Sequence, residues 1–258
     1  MSGALRALTS VRTSLPPPAR RAVRALVDPV LAPLGSLAGA RPSADGAATV
    51  ALTFDDGPDP VGTPAVLDAL AAAGVHGTFF VLVDRADQHP ALVRRVVDEG
   101  HEVGLHGADH RRLTALDART VGRELRTARD RLEEVAGVPV RWFRPPFGSQ
   151  SVATYFAARR AGLLPVVWTA WGEDWVDQPA AQVAERVMDG VVDGGIVLLH
   201  DGLAGDPTEV ALPDPLRHLR GDIVVELLVR LAAAGTRVST VGSLVASRPA
   251  RRTAWFRP

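Results

Sequence analysis

From Val50 to Thr240, short apolar and β-branched runs alternate with stretches of helical period. That alternation limits the fold more than any other feature of the chain. Strand candidates are Val50 to Phe54, Gly77 to Val83, Glu102 to Leu105, Val140 to Arg144, Pro165 to Ala170, Gly195 to Leu199 and Thr236 to Thr240. Between them, Val121, Leu125, Ala128, Leu132 and Val135 repeat on one helical face, with Gly137 and Pro139 as the stop, and Val224, Leu227, Leu228 and Leu231 repeat before Gly235. Strands separated by helices pair in parallel with the helices outside, as an open sheet or a barrel. Either way, chemistry collects at the C-terminal ends of the strands. A chain of 258 residues with 47% hydrophobic content suits one large α/β domain of this kind.

The two ends differ from this middle. Residues 1–47 read as a basic extension, with Val23, Leu26 and Val27 on one helical face and Arg20, Arg21 and Arg24 on another, followed by a linker over residues 35–48. The helix suits packing on the main domain or an interfacial membrane position, and peripheral membrane contact is the partner it implies. Residues 247–258 read as a basic, solvated tail after a domain spanning 48–246. Every basic residue is Arg, and the formal net charge is zero, which gives no electrostatic footprint for nucleic acid. No run of about 18 apolar residues offers a bilayer span. Arg20, Arg21, Arg24, Asp28 and Pro29 interrupt the stretch an export signal would need, so a cytoplasmic or membrane-peripheral location is expected. With no cysteine, any metal must be held by His, Asp or Glu.

Five predicted strand ends carry polar or ionisable groups: Asp55-Asp56 before Gly57-Pro58, His106 with His110, Arg144-Pro145-Pro146-Phe147-Gly148, Glu173-Asp174-Trp175, and His200-Asp201. Any one of these alone is a polar turn or a surface group. Together they converge on one pole of the fold. Histidines four apart share a face of a helical turn and can reach one metal, and a nearby Asp completes a set that leaves positions open for water and substrate. Zinc is the first expectation, with cobalt or nickel as alternatives.

In order along the chain, Thr53-Phe54-Asp55-Asp56-Gly57-Pro58, His106-x-x-x-His110, Phe143-Arg144-Pro145-Pro146-Phe147-Gly148, Asp174-Trp175 and Ile196-Val197-Leu198-Leu199-His200-Asp201 resemble the successive motifs of the polysaccharide deacetylase family. This is the NodB-homology domain of carbohydrate esterase family 4. The resemblance implies a distorted (β/α) barrel of about seven parallel strands and metal-dependent hydrolysis of an N-acetyl amide on an amino sugar or polysaccharide. By position it implies Asp55 as general base, Asp56 beside His106 and His110 as metal ligands, and metal-bound water as the nucleophile. His200 matches the acid that protonates the leaving amine, with Asp174 paired to it, and Arg144 matches the partner of the base. The backbone N–H of Phe147 matches an oxyanion donor, and Trp175 and Leu198 match the lining of an acetyl pocket.

The chain departs from the family pattern at Leu105, at Gly107 where a hydroxyl residue is usual, at Phe147 where Tyr is commoner, and at Trp171 where an Asp is usual. These departures leave a second substrate reading open, a formyl or acetyl amide on a lipid-linked sugar or a small non-sugar amide. A third reading is a non-catalytic carbohydrate-binding relative. The remaining histidines, His76, His89, His101 and His218, are assigned to structure or surface, with His101 ordering the loop before the His pair.

Overall fold

The computed structural model describes residues 35–44, 46–207 and 214–257. The amphipathic stretch at residues 19–28 lies outside them. Ten strands are present among the described residues: β1 (Ser36–Ala40), β2 (Thr49–Asp55), β3 (Thr78–Leu82), β4 (Glu102–Gly107), β5 (Trp142–Phe143), β6 (Leu164–Pro165), β7 (Ala170–Trp171), β8 (Ile196–His200), β9 (Arg237–Ser239) and β10 (Ala250–Thr253). The helices are α1 (Gly62–Ala73), α2 (Val83–Gln88), α3 (Pro90–Asp98), α4 (Ala118–Ala136), α5 (Val152–Arg160), α6 (Ala180–Gly190), α7 (Arg220–Ala233) and α8 (Val241–Ser247).

The main sheet is parallel throughout and runs β6-β5-β4-β3-β2-β8-β7. Its central strand, β2, is shared along one edge, where β9 pairs with Thr49–Ala51 and β3 with Thr53–Asp55. The outward residues of the strands, including Leu52, Phe54, Phe79, Val103, Leu105, Val197 and Leu199, form one apolar layer with the helices. Every residue of the predicted α4 stripe joins that layer. Burying each of its Val or Leu side chains contributes roughly 1.5–3 kcal/mol. Asp117 caps the start of α4 by accepting from the Arg119 and Thr120 backbone N–H groups, and Gly137 ends it in a left-handed conformation. The inward face is smaller: Ala51, Phe80, Trp142, Val166 and Ile196 fill the barrel below the site.

Six of the seven predicted strands form as single strands. The seventh, Pro165 to Ala170, divides into β6 and β7 at opposite edges of the sheet. Its hydrogen bonds show how the crossing is made: Val166 N donates to Phe143 O, Val167 N to Leu37 O, and Thr169 N to Ile196 O, each at 2.8 Å. The backbone thus changes partner from β5 to β1 to β8, and β1 fills the gap between the two edges. This distorts the barrel and leaves it curled rather than closed by direct β6–β7 pairing.

Two expectations about the chain ends are corrected. Residues 36–40 are a buried strand rather than a linker, paired antiparallel with β10. Their small side chains serve close packing instead of flexibility, since Gly39, at φ 127°, lies so close to Gly194 O that a Cβ would collide with it. The basic tail is docked as well. Trp255 is 7% exposed, packs tilted against Trp168 with ring centres 5.1 Å apart, and donates through Nε1 to Gly148 O at 2.9 Å. Gln150 Nε2 donates to both Ser36 Oγ and Trp255 O and so ties the two ends together.

Candidate active site

Strand register builds the site. Asp55 at the end of β2 pairs directly with His200 at the end of β8, and Thr53 pairs with Leu198. The odd-numbered residues of β2 face into the barrel, so the last of them, Asp55, points into a cavity of about 500 Å³ above the inner core. Asp55, Asp56, His106, His110, Phe147, Trp175, Leu198 and His200 all line that cavity. Arg144 and Asp174 lie behind it, fully buried, each holding one of these groups.

The adjacent carboxylates diverge because the strand ends between them. Asp56 has φ 73°, a left-handed turn and not the next step of strand alternation. Asp55 Oδ1 accepts from Arg144 Nη1 at 2.7 Å, and the same nitrogen donates to Thr53 Oγ1 at 2.9 Å. The Arg144 guanidinium is flanked by the Phe80 ring at 4.1 Å and the Trp168 ring at 5.6 Å. Burial lowers its basicity, and Asp55 counteracts that. Asp56 instead turns toward the histidines. Its Oδ2 accepts from Ala204 N at 2.8 Å, and its Oδ1 is buried with no hydrogen-bond donor.

The two histidines do not share a helical turn, contrary to expectation. His106 is in β4 and His110 in the bend that follows. Gly107, at φ 134°, reverses the chain between them, and a Cβ there would sit 2.7 Å from Asp109 O. The residue that the family pattern marks as lacking a hydroxyl therefore makes the turn. His106 Nδ1 donates to Arg144 O at 2.8 Å, which fixes its tautomer and leaves the Nε2 lone pair facing Asp56 Oδ1 at 3.1 Å. His110 Nε2 lies 3.4 Å from the same oxygen. Burial lowers the His110 imidazole to about 4, so it is neutral at pH 7 with a lone pair to give.

Lone pairs converging on one another in a buried site repel unless a cation lies between them. The three ligand atoms lie within 4.8 Å of each other, and one carboxylate oxygen with two imidazole nitrogens is a donor set for a borderline divalent ion. The residues present fit a metal. The orienting hydrogen bond on His106 is the support a metal-bound imidazole requires.

Across the cavity, His200 Nδ1 donates to Asp174 Oδ1 at 2.9 Å, and His200 N donates to Asp174 Oδ2 at 2.8 Å. Burial alone would lower the His200 imidazole, but the Asp174 carboxylate outweighs it, with smaller contributions from Asp56 and Asp55, and the group stands at about 9. For Asp174, burial is likewise outweighed by His200 and Arg220, which hold its carboxyl below the usual range. Asp201, next in the chain, is turned away beneath Gly57. Thr63 Oγ1 donates to its Oδ2 at 2.5 Å, and burial raises its carboxyl to about 7.

Trp175 is 41% exposed and meets His200 edge-on at 5.7 Å, with Leu198 beside them on the wall. Phe147 has a left-handed backbone, φ 56°, and packs tilted against His110, with ring centres 4.1 Å apart. Trp171 lies at the sheet edge in register with Leu198, exposed and outside the cavity lining. His101 is buried, and its Nδ1 accepts from Gly77 N at 3.1 Å, which ties the starts of β3 and β4.

Several site residues carried no sequence signal. Arg220, fully buried, donates to Asp174 Oδ2 at 2.9 Å and to both oxygens of Asp214 at 2.8 Å. It lies N-terminal to the apolar stripe of α7, where an Arg reads as surface. Arg85 donates to Asp56 O and Leu203 O, each at 2.9 Å, and so clamps the cavity wall formed by residues 203–206. Trp168 and Arg112 also line the cavity.

The fold and these motifs have counterparts among known proteins. The polysaccharide deacetylase family model matches residues 43–166. A chitooligosaccharide deacetylase of Sinorhizobium fredii is 40% identical over 67% of this chain and 80% of its own length. A peptidoglycan-N-acetylglucosamine deacetylase of Listeria monocytogenes is 39% identical over 59% of this chain, a match that spans only 32% of that larger protein. Among solved structures, a family 4 acetyl xylan esterase from Clostridium thermocellum in complex with a cobalt ion superposes with TM-score 0.67 at 30% identity, covering 77% of this chain and 91% of that one. Likeness of this depth, carried through the motif order and the curled parallel sheet alike, means that the chain belongs to the polysaccharide deacetylase family.

Proposed function

We propose that this chain hydrolyses the N-acetyl amide of an amino sugar or polysaccharide, with Asp55 as base, His200 as acid and a divalent metal held by Asp56, His106 and His110. The observation that carries this reading is the placement of two oppositely prepared proton carriers across one cavity. On one side is a carboxylate paired with Arg144. On the other is an imidazole held at about 9 by Asp174. Zinc is the ion best suited to the donor set, and when bound it supplies Lewis acidity for the attacking water and the amide carbonyl.

The remaining steps belong to the protein. Asp55 accepts the proton of the attacking water, aimed by the Arg144 hydrogen bond that occupies its Oδ1. His200, protonated at neutral pH, gives its Nε2 proton to the leaving nitrogen, because the Nδ1 proton is held by Asp174. An amine leaves readily only when protonated, so this group decides whether the amide breaks or re-forms. The Phe147 backbone N–H serves the developing oxyanion, and Trp175 and Leu198 take up the acetyl methyl.

Replacing Asp55 with Asn keeps the side-chain volume and removes the basic oxygen. Acetate release from N-acetylglucosamine oligomers should fall by at least about a hundredfold, while the purified variant still binds one equivalent of zinc. Near-normal turnover by that variant would refute the assignment of the base. A non-catalytic binding protein would release no acetate with zinc, cobalt or nickel supplied.

A further inference from the structure

The cavity wall beside His110 carries a cation that the proposed chemistry does not use. Arg112 lies two residues past His110, is exposed, lines the cavity, and holds its guanidinium 4.1 Å from the centre of the Phe147 ring. The other arginines near the site are engaged. Arg144 holds Asp55, Arg220 holds Asp174 and Asp214, and Arg85 holds two backbone carbonyls. The neighbouring Arg111 is neutralised by hydrogen bonds to Asp109 and by Glu124 at 4.0 Å. Arg112 makes no salt bridge among the described residues; its partner is an aromatic ring.

A guanidinium over a ring face gains from the ring without spending its N–H donors on an acceptor, so they remain for whatever enters the cavity. The ring beneath it packs on its other neighbour, His110, at 4.1 Å. Arg112 is therefore a donor fork with no salt bridge among the described residues, on the wall that also bears the candidate metal ligands. Asp206 lies on the same wall, so the region is not uniformly positive, but it forms no salt bridge with Arg112 among the described residues.

We propose that Arg112 reads a negative charge on the substrate: the sugar whose acetamido group enters the cavity, or the residue next to it, bears a carboxylate or phosphate that this guanidinium binds. The proposal rests on the deacetylase reading and narrows its substrate class to acidic amino sugars. Planar, bidentate recognition of such an anion is the task for which Arg is suited and Lys is not.

The test titrates the full-length protein, as purified, by the fluorescence of its cavity tryptophans, with acetate release followed in parallel. The ligands are paired to isolate charge: a neutral N-acetylglucosamine disaccharide against one of equal length containing N-acetylmuramic acid, and N-acetylglucosamine against its 1-phosphate. The wild-type protein should favour one anionic member by about fivefold at low salt, the upper end for an exposed pair. That advantage should shrink as salt is added. Which pair shows it identifies the anion as carboxylate or phosphate. Arg112→Gln should bring the ratio to near one, and Arg112→Lys should keep only part of it.

No charge preference in the wild type, or an unchanged ratio in Arg112→Gln, overturns the proposal while leaving the deacetylase reading intact. Equal loss for neutral and acidic ligands also overturns it, since Arg112 would then only support Phe147. Charge-selective binding without acetate release would uphold the anion site and overturn the deacetylase reading. Binding of no sugar at all would overturn both.

Discussion

Replacing Asp174 with Asn tests the proposal that His200 serves as the acid. Asp174 accepts three hydrogen bonds, from His200 Nδ1 on Oδ1 and from His200 N and Arg220 on Oδ2; in Asn one oxygen remains to accept the latter pair, and the other becomes an NH2 that cannot accept from His200 Nδ1–H. What disappears is the negative charge together with the acceptor for Nδ1–H, which between them overcome the burial of His200 and set that group at about 9. The difference from 6.5 for a free imidazole corresponds to roughly 3 kcal/mol in favour of the protonated form. Without it, burial governs and His200 should titrate at or below 6.5. The assay is kcat for acetate release against pH. In the wild type, the alkaline limb should fall near pH 9, where His200 loses its proton. In Asp174→Asn that limb should move below about 7, so that activity at pH 8 drops at least about tenfold while activity near pH 6 falls less. Stability gives an independent readout of the same charge. A group raised in the folded state stabilises fully below its unfolded value and ceases to do so as pH climbs through its folded value. The wild-type protein should therefore lose stability between about 6.5 and about 9, a slope the variant lacks. An alkaline limb that stays near 9 in Asp174→Asn would refute the reasoning, because some other group would then be setting it.

Removing one member of the buried ion pair should be costly: Arg144→Leu leaves Asp55 buried without its cation, and thermal or denaturant unfolding should show a loss of about 3–5 kcal/mol along with lost activity. Gly107→Ala places a side chain at φ 134° against Asp109 O, so it should cost about 1–3 kcal/mol and weaken zinc binding by calorimetry, because the turn carrying His110 must shift. Trp255→Ala should destabilise the folded chain by about 3–5 kcal/mol if the C-terminal segment is part of the core, and an unchanged melting temperature would mean it is not.

The parallel α/β architecture and the converging strand ends were legible in the sequence because both depend on local pattern. Helical period marks α4 over five successive positions, and a polar group ending an apolar run marks a strand end whatever the strand packs against. The rest depended on distance across the fold. Residues 36–40 read as a linker because Gly and Ala signal flexibility when seen alone, whereas here they fit a narrow gap against Gly194 O. The spacing of His106 and His110 correctly indicated proximity but not its cause, which is a left-handed Gly107 after a strand instead of a helical turn. Arg220 carried no local mark, because its importance comes from Asp174, 46 residues away in the chain.

That long-range contact bears on why the site is built as it is. Asp55 and His200 end adjacent strands in direct register, so their backbones are about 5 Å apart. Left to themselves, a carboxylate and an imidazole so placed would pair with each other, and the proposed base and acid would be lost together. Each is instead drawn away by a buried partner from elsewhere in the chain: Asp55 by Arg144 from the end of β5, and His200 by Asp174, itself anchored through Arg220 to Asp214. The two partners are opposite in charge, so they prepare opposite functions from neighbouring positions. The cost is a pair of desolvated ions on each side, offset most fully where both are fully hydrogen-bonded. On the base side that condition is not met, since Arg144 Nε and Nη2 are buried without acceptors between the Phe80 and Trp168 rings. The aromatic faces are what remain to stabilise that charge. Trp168 packs in turn against Trp255, so the docked C-terminal segment supports the surroundings of the Arg144–Asp55 pair.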